Sequence, residues 1–201
     1  MQATIEQWIE WLLEVTQLEG YSILLITAPL AVIQGFFGFF PFATLIVLHL
    51  TAFGLGQGLL ASWMVGTLAS VVVFSVCRYF FFDWFNRRWG KKLQKYEKWQ
   101  YYMDTYGVWV IIFLRTLPIM PNNLISFMSA ISPIKLSAYL WSSLIGNLSH
   151  IWLVGLIGSS IVMPELDVKK HLLFYAKFCL VLIIIFIARH YKSFRKRRGT
   201  M

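Results

Sequence analysis

Long apolar runs dominate the chain, and the residues that interrupt them carry most of the information. No Asp, Glu, Lys or Arg occurs from Gly20 to Cys77. A helix that crosses a membrane needs about 20 apolar residues, so this run holds more than one crossing. Glycine and proline divide it. A first span over about 20–34 enters Gly35-Phe36-Phe37-Gly38-Phe39-Phe40-Pro41, where the helix breaks. Phe42 to Phe53 is apolar but too short to cross, and Gly54, Gly56 and Gly58 end it. Residues 35–58 are therefore expected to be re-entrant, with a full span over 59–82.

The other segments follow from the same periodicity. In residues 1–19, Ile5, Trp8, Ile9, Leu12 and Leu13 share one helical face and Glu6, Glu10 and Glu14 another, which predicts an amphipathic surface helix. Over 83–103, Phe85, Trp89, Leu93, Tyr96 and Trp99 recur at helical spacing between Arg88, Lys91, Lys92, Lys95 and Lys98. That pattern predicts a basic interfacial helix. Residues 105–134 are apolar but interrupted, and spans are expected over 136–162 and 171–190. The basic tail over 191–201 is expected to lack regular structure.

The interruption over 105–134 is chemical as well as structural. Phe113-Leu114-Arg115-Thr116-Leu117-Pro118-Ile119-Met120-Pro121-Asn122-Asn123 places one arginine and two prolines in apolar sequence. A charge at the bilayer centre costs about 2.5–3.5 kcal/mol even on gentle scales. Broken helix at that depth is tolerated only against protein or a watery cavity. Arg115 has a planar fork of donors that suits phosphate oxygens, while Asn122 and Asn123 offer amide donors after the second break. A structural role, satisfying carbonyls freed by Pro118 and Pro121, is compatible with binding.

Composition agrees with a polytopic membrane protein: 58% of residues are hydrophobic and 13% charged, against about 25% charged in soluble domains. The net charge of +9 does not indicate nucleic acid. Seven basic residues lie between Arg78 and Lys98 and six between Arg189 and Arg198, flanking apolar segments as the positive-inside rule requires. The acidic N-terminal segment is the wrong charge for a signal peptide. Cys77 and Cys179 sit in apolar sequence and read as packed residues. No catalytic constellation, metal spacing or phosphate loop is present, so neither an enzyme nor a cofactor is expected. His49 and His150 read as hydrogen-bonded packing residues before proton carriers.

The two broken segments align at an offset of 80. Pro41 meets Pro121, Ser62 meets Ser142, Gly66 meets Gly146 and Leu68 meets Leu148. Placing both basic clusters in the cytoplasm inverts the two halves, so 105–134 enters from the cytoplasm and 35–58 from outside. The expected fold is all-α, with two inverted repeats, each a re-entrant hairpin plus a transmembrane helix.

The block Arg115-Thr116-Leu117-Pro118-Ile119-Met120-Pro121-Asn122-Asn123, followed by Ser129 to Ile134 and Leu144-Ile145-Gly146-Asn147, resembles the DedA superfamily. The match is to its SNARE-associated Golgi protein branch, with the VTT domain, over about residues 25–160. Pro41, Gly54, Gly58, Gly66 and Arg78 agree in the first half. The resemblance implies two facing re-entrant hairpins and movement of phospholipid or polyprenyl-phosphate lipid between leaflets. Some members are proton-coupled through acids in the first re-entrant region, yet this chain has none between Glu19 and Asp83. The expected function is a lipid transporter or scramblase in a bacterial plasma membrane, with both termini cytoplasmic and membrane lipids as partners. The alternatives are a proton-coupled small-solute or ion transporter and a non-transporting membrane organiser. Substrate contacts are expected from Arg115, Pro118, Pro121, Asn122 and Asn123. Arg78, Pro41, Gln34 and Asp104 are secondary candidates.

Overall fold

The computed structural model describes residues 20–82, 97–117, 120–162 and 168–198, with positions 7 and 87. The expected N-terminal amphipathic helix, most of the interfacial helix and Pro118 lie outside the described residues. The rest is all-helical: a 3-10 turn over Gly20–Ile23, then α1 (Leu24–Phe37), α2 (Phe42–Val76) extended by a π turn (Cys77–Phe81), α3 (Glu97–Thr116), α4 (Asn122–Ala130), α5 (Leu136–Val162) and α6 (Val168–Arg198). Among the described residues, four stretches are long and apolar enough to cross a membrane: Gly20–Phe37, Phe42–Phe81, Leu136–Ser159 and Lys169–Arg189. The chain is an integral membrane protein.

The 40 residues from Phe42 to Phe81 would measure about 60 Å as one straight helix, twice the hydrocarbon thickness. They do not run straight. Gly54, at φ 75° and ψ 177°, holds a conformation open essentially to glycine alone, and the chain folds back there. A Cβ on Gly58 would stand 2.5 Å from the His49 carbonyl oxygen, although nine residues of straight helix would separate the two by about 13 Å. Further from the turn, His49 reaches Ser62 and the Phe42 ring lies against Gly66. Of the three glycines expected to end the first arm, only Gly54 leaves helical geometry.

The halves share an order of elements: helix, break, short helical arm, turn, long helix. α2 and α4 begin at Phe42 and Asn122, 80 positions apart. Each is preceded by proline in extended geometry, Pro41 at φ −66° and ψ 133° and Pro121 at φ −58° and ψ 138°. Proline suits a helix start because its missing N–H would have no partner there.

Packing runs through the middle of the bundle. Val73, Phe74, Cys77, Ile111, Ile125 and Tyr139 join α2, α3, α4 and α5. Ala31, Leu45, Val65 and Ala69 join α1 to both arms of α2. α6 is largely peripheral, with Leu173, Phe174, Leu180, Ile184 and Ile187 exposed, as lipid-facing residues would be. Two elements differ from expectation. α6 continues to Arg198, so the tail is helical over most of its length: Lys and Arg are good helix formers and extend a helix already nucleated by the span. α3 starts at Glu97, inside the stretch assigned to the interfacial helix, because no glycine or proline separates Glu97 from Tyr106.

Candidate functional site

Arg115 lies in the last turn of α3, and its side chain is 0% exposed. Four neutral groups from three other helices receive its guanidinium. Nη1 donates to Ser70 Oγ of α2 at 3.1 Å and to Asn147 Oδ1 of α5. Nη2 donates to Ser126 Oγ of α4 at 3.2 Å and to the Tyr139 hydroxyl of α5 at 2.9 Å. Nε has no partner. Gly146 makes the room: a Cβ there would stand 2.9 Å from Arg115 Cδ.

The partners are themselves fixed. Asn147 Nδ2 donates to Thr67 Oγ1 at 3.3 Å and Ser70 Oγ at 3.2 Å. The Tyr139 hydroxyl lies 2.8 Å from Ser126 Oγ and 3.1 Å from the Ser70 carbonyl. Its ring stacks on Phe74 with centroids 4.0 Å apart. The Arg115 guanidinium lies 5.7 Å from the centre of the Tyr139 ring and that of Arg78 5.4 Å from the centre of the Phe74 ring.

No carboxylate neutralises this charge from within the core. Residues 20–82 and 105–162 contain no Asp or Glu. Asp104 is on α3, eleven residues before Arg115, about 16 Å along the helix axis; its side chain lies outside the described residues.

A narrow cleft opens beside this network, about 330 Å3 when the open space at its mouth is included. Gln34 and Gly35 of α1, Ser70 of α2, Asn122 and Asn123 of α4 and Asn147 of α5 line it. Its enclosed interior is only about 20 Å3, space for about one water. Asn122 Oδ1 is buried there without a partner. The two breaks meet at the cleft: a Cβ on Gly38 would stand 2.8 Å from Asn123 Nδ2. Gly38 is left-handed, at φ 64° and ψ 28°, and closes α1 by donating its N–H to the Gln34 carbonyl.

Of the residues singled out from sequence, Gln34, Asn122 and Asn123 line the cleft, Arg115 lies buried behind its lining residues Ser70, Ser126 and Asn147, and Pro41 and Pro121 set the helix starts. Arg78 is elsewhere. Its guanidinium donates to the carbonyls of Ala130, Ser132 and Ile134, closing the end of α4 and the turn into α5, where a cation also complements the helix dipole. His49 is fully buried between Ser62 and Thr27, 2.9 Å from each hydroxyl. His150, three residues after Asn147 on α5, lies close to Arg115. Among the described residues no group of three or more His, Cys, Asp or Glu is placed to hold a metal.

Sequence reasoning missed Ser70, Ser126, Tyr139 and Asn147 as arginine partners. The available signal was their polarity within apolar helices, since such groups face the bundle interior. On α5, Tyr139, Ser143, Gly146 and Asn147 fall on one face.

A family model for the VTT domain matches residues 40–160, from the break before α2 to the last turn of α5. The Uncharacterized protein YqeD of Bacillus subtilis (strain 168) is 25% identical over 177 residues, which cover 87% of this chain and 77% of that protein. The Uncharacterized membrane protein YhjE of the same organism is 23% identical over 137 residues, 67% of this chain and 64% of its own length. No solved structure matches. A match over more than half the chain, carrying the arginine, both proline breaks and the polar network, identifies the protein as a member of the VTT domain (DedA) family.

Proposed function

We propose that this protein moves a phosphate-bearing lipid between membrane leaflets, with Arg115 holding the phosphate. The observation that carries this reading is a fully buried guanidinium met, among the described residues, only by neutral oxygens. A buried charge without a counter-charge is costly, and the core sequence contains no acid to supply one. A lipid phosphate entering the cleft would supply both the negative charge and the paired oxygens that suit the guanidinium fork. Gln34, Asn122 and Asn123 offer further neutral donors along the cleft. The starts of α2 and α4 add free backbone N–H groups.

Placement in the membrane follows from charge. With both basic stretches in the cytoplasm, the α2 hairpin enters from outside and the α3–α4 pair from the cytoplasm. The two halves are then inverted repeats whose breaks meet near mid-membrane. The 80-residue spacing of helix starts and the matched proline geometry support this arrangement. The cytoplasm is that of a bacterial cell, and both termini lie in it. The cleft as it stands is too small for a head group, so transport requires α1 and its break to part from α4. Where Gly38 meets Asn123 the two breaks touch through uncharged groups, with no ion pair to be broken on parting.

Liposomes carrying a labelled phospholipid test the reading. Wild-type protein should equilibrate the label between leaflets without a pH gradient, and Arg115→Gln should reduce the rate to that of protein-free liposomes while still inserting. Full activity of inserted Arg115→Gln overturns the role of Arg115. Strict dependence on a gradient would favour a proton-coupled transporter instead.

A further inference from the structure

Residues 20–82 and 105–162 contain three charged side chains, Arg78, Arg115 and Lys135. Arg78 is engaged by three carbonyls at the end of α4. Lys135 is exposed before α5. Neither lines the cleft, whose lining side chains are all neutral. Helix ends add little net charge. An N-terminus carries about +0.5 and a C-terminus about −0.5 of an elementary charge, and the starts of α2 and α4 lie at the same breaks as the ends of α1 and α3. The one charged side chain among these residues that bonds the cleft's lining is therefore Arg115, buried directly behind Ser70, Ser126 and Asn147.

Resting on the lipid reading above, we infer that the cleft takes its lipid phosphate as a single negative charge. That makes phosphodiester lipids the substrate class and admits a phosphomonoester lipid only in its singly protonated form. One guanidinium and one phosphodiester neutralise each other. A second negative charge would sit in a largely dry site with no partner, which is strongly disfavoured. The core also offers no carboxylate for an ammonium group. The site thus reads the phosphodiester and leaves the remaining head group unrecognised.

The test compares dihexanoyl phosphatidylglycerol, a diester, with dihexanoyl phosphatidic acid, a monoester, binding to the full-length protein in uncharged detergent from pH 5.5 to 8.5. A phosphomonoester loses its second proton near pH 6. Above that pH the affinity for the monoester, relative to the diester, should fall about ten-fold per pH unit. Taking the ratio cancels titration of the protein. The groups concerned are Tyr139 and His150 of α5, Tyr175 of α6 and, behind Phe74, Cys77 and Arg78; α1 and α4 contribute none. A ratio that stays constant or rises with pH overturns the inference while leaving the lipid reading intact. Failure of both lipids to bind, or unchanged binding by Arg115→Gln, overturns the lipid reading and this inference with it. Glycerophosphoglycerol, the same diester without acyl chains, should bind at least ten-fold more weakly, and equal affinity overturns the assignment to a lipid.

Discussion

In the first half of the molecule, α1 ends at Phe37, Pro41 starts α2, and buried His49 ties the two arms of the hairpin to α1 through Ser62 and Thr27. In the second half, α3 ends at Thr116, Pro121 starts α4, and buried Arg115 does the tying. The backbone plan is shared, but the polar centre is neutral in one half and charged in the other. Packing enforces the difference. Gly35 stands 80 positions before Arg115, and even a Cβ there would come within 2.8 Å of Val73 Cγ2. Arg115 has room because Gly146 has no side chain. A neutral centre can only hold helices together, whereas a charged one also attracts an anion.

The sharpest way to break this comparison is to neutralise each centre in turn. Arg115→Gln removes charge-assisted bonds of about 1.5–3 kcal/mol each, so lipid transport should fall at least about a hundred-fold. His49→Gln should leave transport within a few-fold and instead lower thermal stability, by about 1–3 kcal/mol for each buried hydroxyl left unpaired. Similar transport losses in the two variants would mean that the halves do not differ in role.

Gly66 and Gly146 allow a finer test, since they also lie 80 apart. A Cβ at Gly146 meets Arg115 at 2.9 Å, and one at Gly66 meets the Phe42 ring at 2.9 Å and Ile151 at 3.1 Å. Both alanine variants should lose about 1–3 kcal/mol through overpacking. Only Gly146→Ala should also slow transport, by about ten-fold, because a displacement of about 1 Å at a binding centre is costly. Thermal melts and liposome assays on the same preparations separate the two effects.

The turns that close the hairpins differ as well. The first depends on Gly54 and its positive φ, so Gly54→Ala should cost about 1–3 kcal/mol in strain. The second contains no glycine and is held by Arg78 from outside. Arg78→Gln should cost about 2–4 kcal/mol through unpaired carbonyls, with transport lost only in proportion to folded protein. A transport defect in fully folded Arg78→Gln would move Arg78 into the site.

Much of this plan was legible in the sequence because breaks are local. Pro41, Pro121, Gly38 and Gly54 act through their own backbone, and a charge in an apolar run announces itself at Arg115. The partners of Arg115 were not legible for a physical reason. Ser70 and Ser126 bond the carbonyls of Gly66 and Asn122 one turn back, as a serine does in any apolar helix. Nothing local distinguishes them from packing residues. Their convergence on one guanidinium depends on α2, α4 and α5 meeting, which is a tertiary property. The length of α6 is hidden for another reason: charge marks the end of apolar sequence, not the end of a helix, and α6 continues to Arg198.

The smallest expected effect concerns how each break satisfies its carbonyls. In the first half the backbone does this, with Gly38 N–H on the Gln34 carbonyl at 2.7 Å. In the second half side chains help. The Tyr175 hydroxyl of α6 donates to the Thr116 carbonyl at 3.2 Å and lies 3.3 Å from Ser149 Oγ. α6 lies beyond the residues matched by the family model, yet it holds the residue next to Arg115. Tyr175→Phe keeps the ring packed on Trp152 and removes only the hydroxyl. Stability should fall by about 0.5–1.5 kcal/mol, and transport should fall two- to five-fold at roughly that cost as the last turn of α3 loosens. Thr27→Val, which removes one hydroxyl from the first-half centre, should show a similar stability loss with no change in transport. If the two variants lose transport equally, α6 does no more for the second break than α1 does for the first.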